Sequence, residues 1–270
     1  MATLCLKKES RFPLPPCHIF EFMKKISYCC AILLGTASLA FAAPEDTPEG
    51  FTSLFDGKDL SSWVIPEGDN GHWKVLDGVI DYDAQSEATD PKNKNLWTKT
   101  EYEDFELRID WRIKETTGFY NVPYVLPDGS CVKDENGKKI THPIKNADSG
   151  IFLRGNKTYQ LNIWCWPIGS GEMYGIRNNE RQPQEIRAGL TPALNADNPV
   201  GEWNTFIVTV KGDRVTVESN GHLIINKALM PGVPEKGPIG LQHHGGKKAD
   251  GTWSPASSLV QFRNIFIKEL

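Results

Sequence analysis

Two adjacent histidines, His243 and His244, close an apolar run and are followed at once by Gly245 and Gly246. Neutral imidazole suits general-base work near pH 7, where a positioned base contributes about 10²- to 10⁴-fold. Neighbouring side chains on a strand point to opposite faces, so at most one of the two histidines joins a given site. If Leu241 points to the core, His243 turns inward with it, and Gln242 and His244 project together onto the other face. The glycines let a ligand approach the backbone closely. A lone histidine at a strand end is more often structural, and that reading stands beside the catalytic one.

A second constellation lies upstream. The stretch NADSGIFLRG (146–155) places Asp148, Gly150, Phe152 and Arg154 on one side of a strand. Asp148 and Arg154 are then about 20 Å apart, too far to pair directly. The following YQLNIWCW (159–166) puts Gln160, Asn162 and Trp164 on one face and Tyr159, Leu161 and Ile163 on the other. Amides and charges for hydroxyls, beside an indole for a pyranose ring, make a concave sugar-binding surface. The alternative is the solvated face of a half-buried sheet. There is no Gly-x-Ser-x-Gly, no Walker loop and no His-Glu-x-x-His, and ELRIDWRIKE supplies no convincing carboxylate pair for a retaining glucanase.

The elements that must position these residues read as strands. DFELRIDWRI alternates Phe105, Leu107, Ile109, Trp111 and Ile113 with charged residues, which predicts one buried and one polar face. HWKVLDGVIDY predicts a hairpin at Asp77-Gly78, and residues 205–226 predict a three-stranded meander turning at Gly212-Asp213 and Asn220-Gly221. The closing SLVQFRNIFIKEL alternates with a slip at Arg263-Asn264 that predicts a bulge. No segment longer than a few residues has helical periodicity with caps, so the class is all-β, an antiparallel sandwich. Two long excursions interrupt it. Residues 115–147 carry a small hairpin at Asn136-Gly137, and residues 164–202 hold Trp164, Tyr174, Arg177 and Glu185. Such excursions are binding loops, lids or decoration of a sheet edge.

Met23-Lys24-Lys25, the apolar run to Phe41 and Ala40-Phe41-Ala42 follow the pattern of a secretory signal cut after Ala42, with true initiation at Met23. The expected organisation is residues 1–42 as signal, 43–50 as linker and 51–270 as one domain in a periplasmic or extracellular protein. Residues 1–42 carry five basic and two acidic residues, so 25 basic and 32 acidic remain, a net charge of −7. That balance, without a basic block, gives no electrostatic footprint for nucleic acid. The apolar run is short of the roughly 20 residues of a permanent span, so no membrane span is expected in the mature chain. Of six cysteines only Cys131 and Cys165 remain. They are free to pair in an oxidising compartment but form no disulfide scaffold and have no metal-ligand spacing.

FTSLFDGKDLSSWV, DSGIFLRG, GEWNTFIVTVKGDRVTVESNGHLI, GPIGLQHHG and VQFRNIFIKEL follow one another across nearly all of residues 50–270. They resemble the family catalogued as domain of unknown function 1080. That family is named for 3-keto-disaccharide hydrolysis, or 3-keto-glucoside 1,2-lyase and 3-keto-2-hydroxyglucal hydratase activity. The resemblance implies a concanavalin A-like jelly-roll sandwich and a 3-keto-glycoside or oligosaccharide as substrate. Most members read Asn-Ser-Gly where this chain has Asp148-Ser149-Gly150, and Tyr-Glu-x-Gln where it has Tyr159-Gln160-Leu161-Asn162. The usual Gln-x-His-Gly appears as Gln242-His243-His244-Gly245, which favours His244.

The implied chemistry is removal of the C2 proton beside a C3 ketone, loss of the C1 glycosidic oxygen, and addition of water. On that basis His244 is the expected base or metal ligand, with Asp148 and Glu185 as acid or metal-ligand candidates for one divalent ion and no organic cofactor. Arg154 or Arg177 would steady the enolate, Gln160, Asn162 and Gln242 would hold hydroxyls, and Trp164 and Tyr174 would pack on the ring. The same scaffold also serves lectins, so a non-catalytic carbohydrate-binding module is the rival expectation.

Overall fold

The computed structural model describes residues 46–85, 94–254 and 257–270. The expected signal (1–42) and part of the linker lie outside them. In chain order the first strands are β1 (Thr52–Ser53), β2 (Trp63–Val64), β3 (Trp73–Leu76), β4 (Val79–Tyr82), β5 (Leu96–Tyr102) and β6 (Phe105–Ile113). Next come β7 (Phe119–Pro123), β8 (Thr141–Lys145), β9 (Asp148–Leu153) and β10 (Asn156–Trp164), then two short helices, α1 (Tyr174–Arg177) and α2 (Gln184–Gly189). The chain finishes with β11 (Asn204–Lys211), β12 (Arg214–Ser219), β13 (His222–Leu229), β14 (Gly237–Leu241) and β15 (Val260–Glu269).

Two antiparallel sheets make a jelly-roll sandwich. One has the order β13-β12-β11-β6-β15-β4-β3 with β1 added to β15, and the other the order β10-β9-β14-β5-β2. Alternation explains the packing. Phe105, Leu107, Ile109, Trp111 and Ile113 of β6 are all buried, as are Ile151 and Leu153 of β9 and Leu161 and Ile163 of β10. These side chains belong to one cluster filled from both sheets, each contributing about 1.5–3 kcal/mol by burial. Asp110 breaks the pattern by being buried on the other face of β6, where Thr205 Oγ1 (2.6 Å), Asn264 Nδ2 (2.8 Å) and Arg263 Nε (3.2 Å) satisfy it.

The turns form where dipeptides with tolerance for positive φ occur. Asp77 (φ 50°) and Gly78 (φ 78°) join β3 to β4, and Asn220 (φ 51°) and Gly221 (φ 79°) join β12 to β13. The slip in β15 is a register shift between Arg263 and Phe266, with Asn264 at φ 48°. The 115–147 excursion is an ordered arm, β7 paired with β8, whose Val122 and Ile144 pack on Trp164 and Trp166. Its far end includes the expected hairpin, with Gly137 N–H bonded to Asp134 O at 3.0 Å. Arg187 Nη2 and Gln184 Nε2 of α2 donate to Gly129 O (3.0 Å) and Asp128 O (2.6 Å), fastening the arm at a second point. Cys131 and Cys165 are both free thiols, and burial pushes Cys165 up to about 11.

Candidate active site

The outer face of the five-stranded sheet carries the polar residues. Opposite each other on β9 and β10 stand Asp148 and Trp164, Gly150 and Asn162, Phe152 and Gln160. Gln160 Nε2 donates to Gln242 Oε1 and to Ser149 O (3.2 Å), while Gln242 N–H bonds to Gly150 O at 2.9 Å. Gly150 leaves no room for a side chain, because a Cβ there would fall 2.7 Å from the Leu161 backbone oxygen. Glycine is needed again at Gly240, where a Cβ would fall 2.5 Å from the Trp97 ring, itself stacked on Phe152.

Asp148 is the chemically unusual member. Burial pushes its carboxyl up to about 7, with the nearby His244 pulling the other way. Its Oδ1 is buried and has no hydrogen-bond partner among the described residues. Ser258 ties the two together through the backbone: its Oγ accepts His244 N–H at 2.6 Å and donates to Asp148 O at 2.8 Å. Ser258 is fully buried. Burial raises the Tyr120 and Tyr174 phenols, and the Asp148 charge adds to the rise in both.

An aromatic wall adjoins this pair. Trp164 stacks on Trp166 at 4.1 Å, and Tyr174 stands edge-on to both at 6.0 Å. Tyr120 Oη accepts Trp166 Nε1–H at 2.8 Å, so the arm helps to hold the wall upright. Tyr174 is 39% exposed, whereas the two indoles are largely covered. His243 takes the inward role: it hydrogen-bonds to the Tyr82 hydroxyl, its N–H meets Asn95 Oδ1 at 2.9 Å, and burial lowers its imidazole to about 4.

Several candidates are placed elsewhere. Arg154 lies beyond the end of β9 remote from Asp148, at φ 49°, and is buried. Its guanidinium is used up on Glu103 O, Gly212 O, Pro234 O and Asp104 Oδ1. Arg177 is fully buried in an ion pair with Glu172 that also lies beneath Tyr174 (5.3 Å). It supports the wall and does not present its charge to a ligand. Asn162 Nδ2 and N–H both bond to Glu172 O at 3.0 Å, tying down the returning segment. Glu185 is exposed on the first turn of α2. The divalent-ion set therefore does not come together: among the described residues no three His, Cys, Asp or Glu side chains converge. Asp148 and His244, with Gln160, Gln242, Trp164 and Tyr174, are the part of the expected site that does.

No curated protein matches the chain. Among solved structures, a candidate glycosyl hydrolase of Parabacteroides distasonis is similar at 25% identity and TM-score 0.50, covering 83% of this chain and 85% of that one. A second candidate glycosyl hydrolase of that organism has 20% identity and TM-score 0.48 over 82% and 94%. A carbohydrate-binding module, CBM66, of Bacillus subtilis has 12% identity and TM-score 0.39 over 77% and 95%. The sequence profile of the 3-keto-alpha-glucoside-1,2-lyase-like domain matches residues 50–268. With that match spanning most of the chain, the protein belongs to the 3-keto-alpha-glucoside-1,2-lyase-like domain family.

Proposed function

We propose that this carbohydrate-active domain cleaves 3-keto-glycosides by elimination, with Asp148 and His244 as its proton-transfer pair. The observation that carries the reading is the Asp148 carboxyl, buried beside His244, raised to about 7 and left with an unpaired Oδ1. A raised carboxyl in a site lined by amides and aromatics is a functional signature. His244, unprotonated, takes the C2 proton made acidic by the C3 ketone. The electron pair forms the C1–C2 double bond as the C1 oxygen leaves, and protonated Asp148 returns a proton to that oxygen. Water added across the resulting enone gives the free 3-keto sugar. Gln160 and Gln242 hold hydroxyls, and Tyr174, the exposed member of the aromatic wall, covers the ring.

The test is incubation of the purified protein with 3-keto-glucosides and their unoxidised parents, following enone absorbance and sugar release with and without chelator. Consumption of the keto substrate alone supports the proposal. Binding without consumption replaces it with a carbohydrate-binding module, and cleavage of the parents replaces it with a conventional glycosidase. A rate lost on chelation and restored by a divalent ion would add an ion to the reaction.

The proposal includes action after export, which rests on the pattern of residues 1–42. Protein recovered outside the cytoplasm is expected to begin at Ala43, as N-terminal sequencing would read. Protein found only in the cytoplasm would remove the export step, and a different first residue would move the cleavage site.

A further inference from the structure

A second cleft, of about 290 Å3, opens beside the stacked indoles. Trp111, Lys145, Trp164, Trp166, Asp197 and Asn204 are among the residues that line it. Its size is at the lower end of small-molecule clefts, about 300 Å3 and upward.

Two of these residues carry buried polar atoms that find no partner among the described residues, the donor Trp111 Nε1 and the acceptor Asp197 Oδ1. Both are held firmly. Trp111 is 1% exposed and sits in β6 between Asn204 and Phe262 of the neighbouring strands, with its ring 5.2 Å from Phe206. Asp197 uses its other oxygen to accept from Ser170 N–H (2.9 Å) and Ser170 Oγ–H (2.8 Å), which fixes the carboxylate and leaves Oδ1 over. Native interiors seldom leave such groups unmatched.

A ligand that completes them must accept from an indole N–H and donate to a carboxylate. Hydroxyl groups do both. The Asp197 carboxylate disfavours an acidic ligand, and the indoles that line the cleft add apolar contact for a sugar ring. Trp164 and Trp166 belong both to this cleft and to the wall beside Asp148, so the two places adjoin through the indole pair.

We propose that this cleft is a second subsite, which binds a neutral pyranose through Trp111 Nε1–H and Asp197 Oδ1, next to the sugar held at Asp148 and His244. It rests on the reading of the Asp148 face as a sugar site, but not on the elimination chemistry.

The experiment uses the indole N–H resonance of Trp111 in the ¹⁵N-labelled protein, assigned with Trp111→Phe. Unoxidised maltose, cellobiose and sophorose are the probes. At least one is expected to shift that resonance saturably. Asp197→Asn is expected to weaken its binding about tenfold, the loss of one hydrogen bond to a charged group. His244→Ala should leave the shift in place. A Trp111 signal that stays still while that of Trp164 moves, or that none of the sugars moves, overturns the subsite and leaves the two atoms to ordered water. Because the probes are unoxidised, a Trp111 shift without keto-glycoside turnover sinks only the elimination reading, and turnover without the shift sinks only the subsite.

Discussion

Asp148 and His243 are half-buried ionisable groups whose linkage to folding has opposite signs. Asp148 is raised from 3.8 to about 7, so the folded protein binds more protons than the unfolded chain between those values. Its contribution is best below pH 4 and is lost as pH rises towards 7. His243 is lowered from 6.5 to about 4, so here the unfolded chain binds more protons, and stability is lost as pH falls through that window. Asp148→Asn is therefore expected to raise the thermal midpoint at pH 8 by several degrees and to leave it unchanged at pH 4, as calorimetry would show. If Asp148 is the acid, kcat falls as pH rises through about 7, and Asp148→Asn loses both that limb and about 10²- to 10⁴-fold in rate. His244→Ala is expected to abolish turnover with the circular dichroism spectrum unchanged. The pleat separated His244 from His243 in the sequence, and the family resemblance set His244 beside Asp148. Ser258 was not, since its link to Asp148 spans 110 residues. Arg154 misled for a local reason: at φ 49° it has already left the strand, and alternation no longer governs its direction.

The sandwich strands were readable from period-two burial and Asp-Gly or Asn-Gly turns. The short α1 and α2 have no side-chain caps to announce them. What the residues 164–202 do depends on a contact that no local pattern reveals, the burial of Glu172 and Arg177 together. Removing one partner of a buried pair leaves an uncompensated charge and costs about 3–5 kcal/mol. Arg177→Met is expected to lose that much in urea unfolding, with Glu172→Leu added to it recovering most of the loss. A stability within 1 kcal/mol of wild type would show that the pair is not closed in solution. Since Arg177 lies under Tyr174 and Trp166, the single variant should also loosen the aromatic wall and raise KM more than it lowers kcat.

At the scale of the molecule, the sequence pattern identified many of the strands but neither their division between the two sheets nor their order. The consequential placement is that of β15, which lies inside its sheet between β6 and β4 and also pairs with β1. Its partner β6 ends at Ile113 while β15 starts at Val260, so one of the main seams of the sandwich joins segments far apart along the chain. Loop closure on this scale makes folding slow. A chain stopped before Val260 has β6 and β4 with open edges, and is expected to show neither a cooperative melt nor dispersed amide resonances. During synthesis β15 must therefore leave the ribosome before the barrier to the native state can be crossed. That delay keeps the strands already made unpaired with β15 while synthesis continues, as the export proposed above would require.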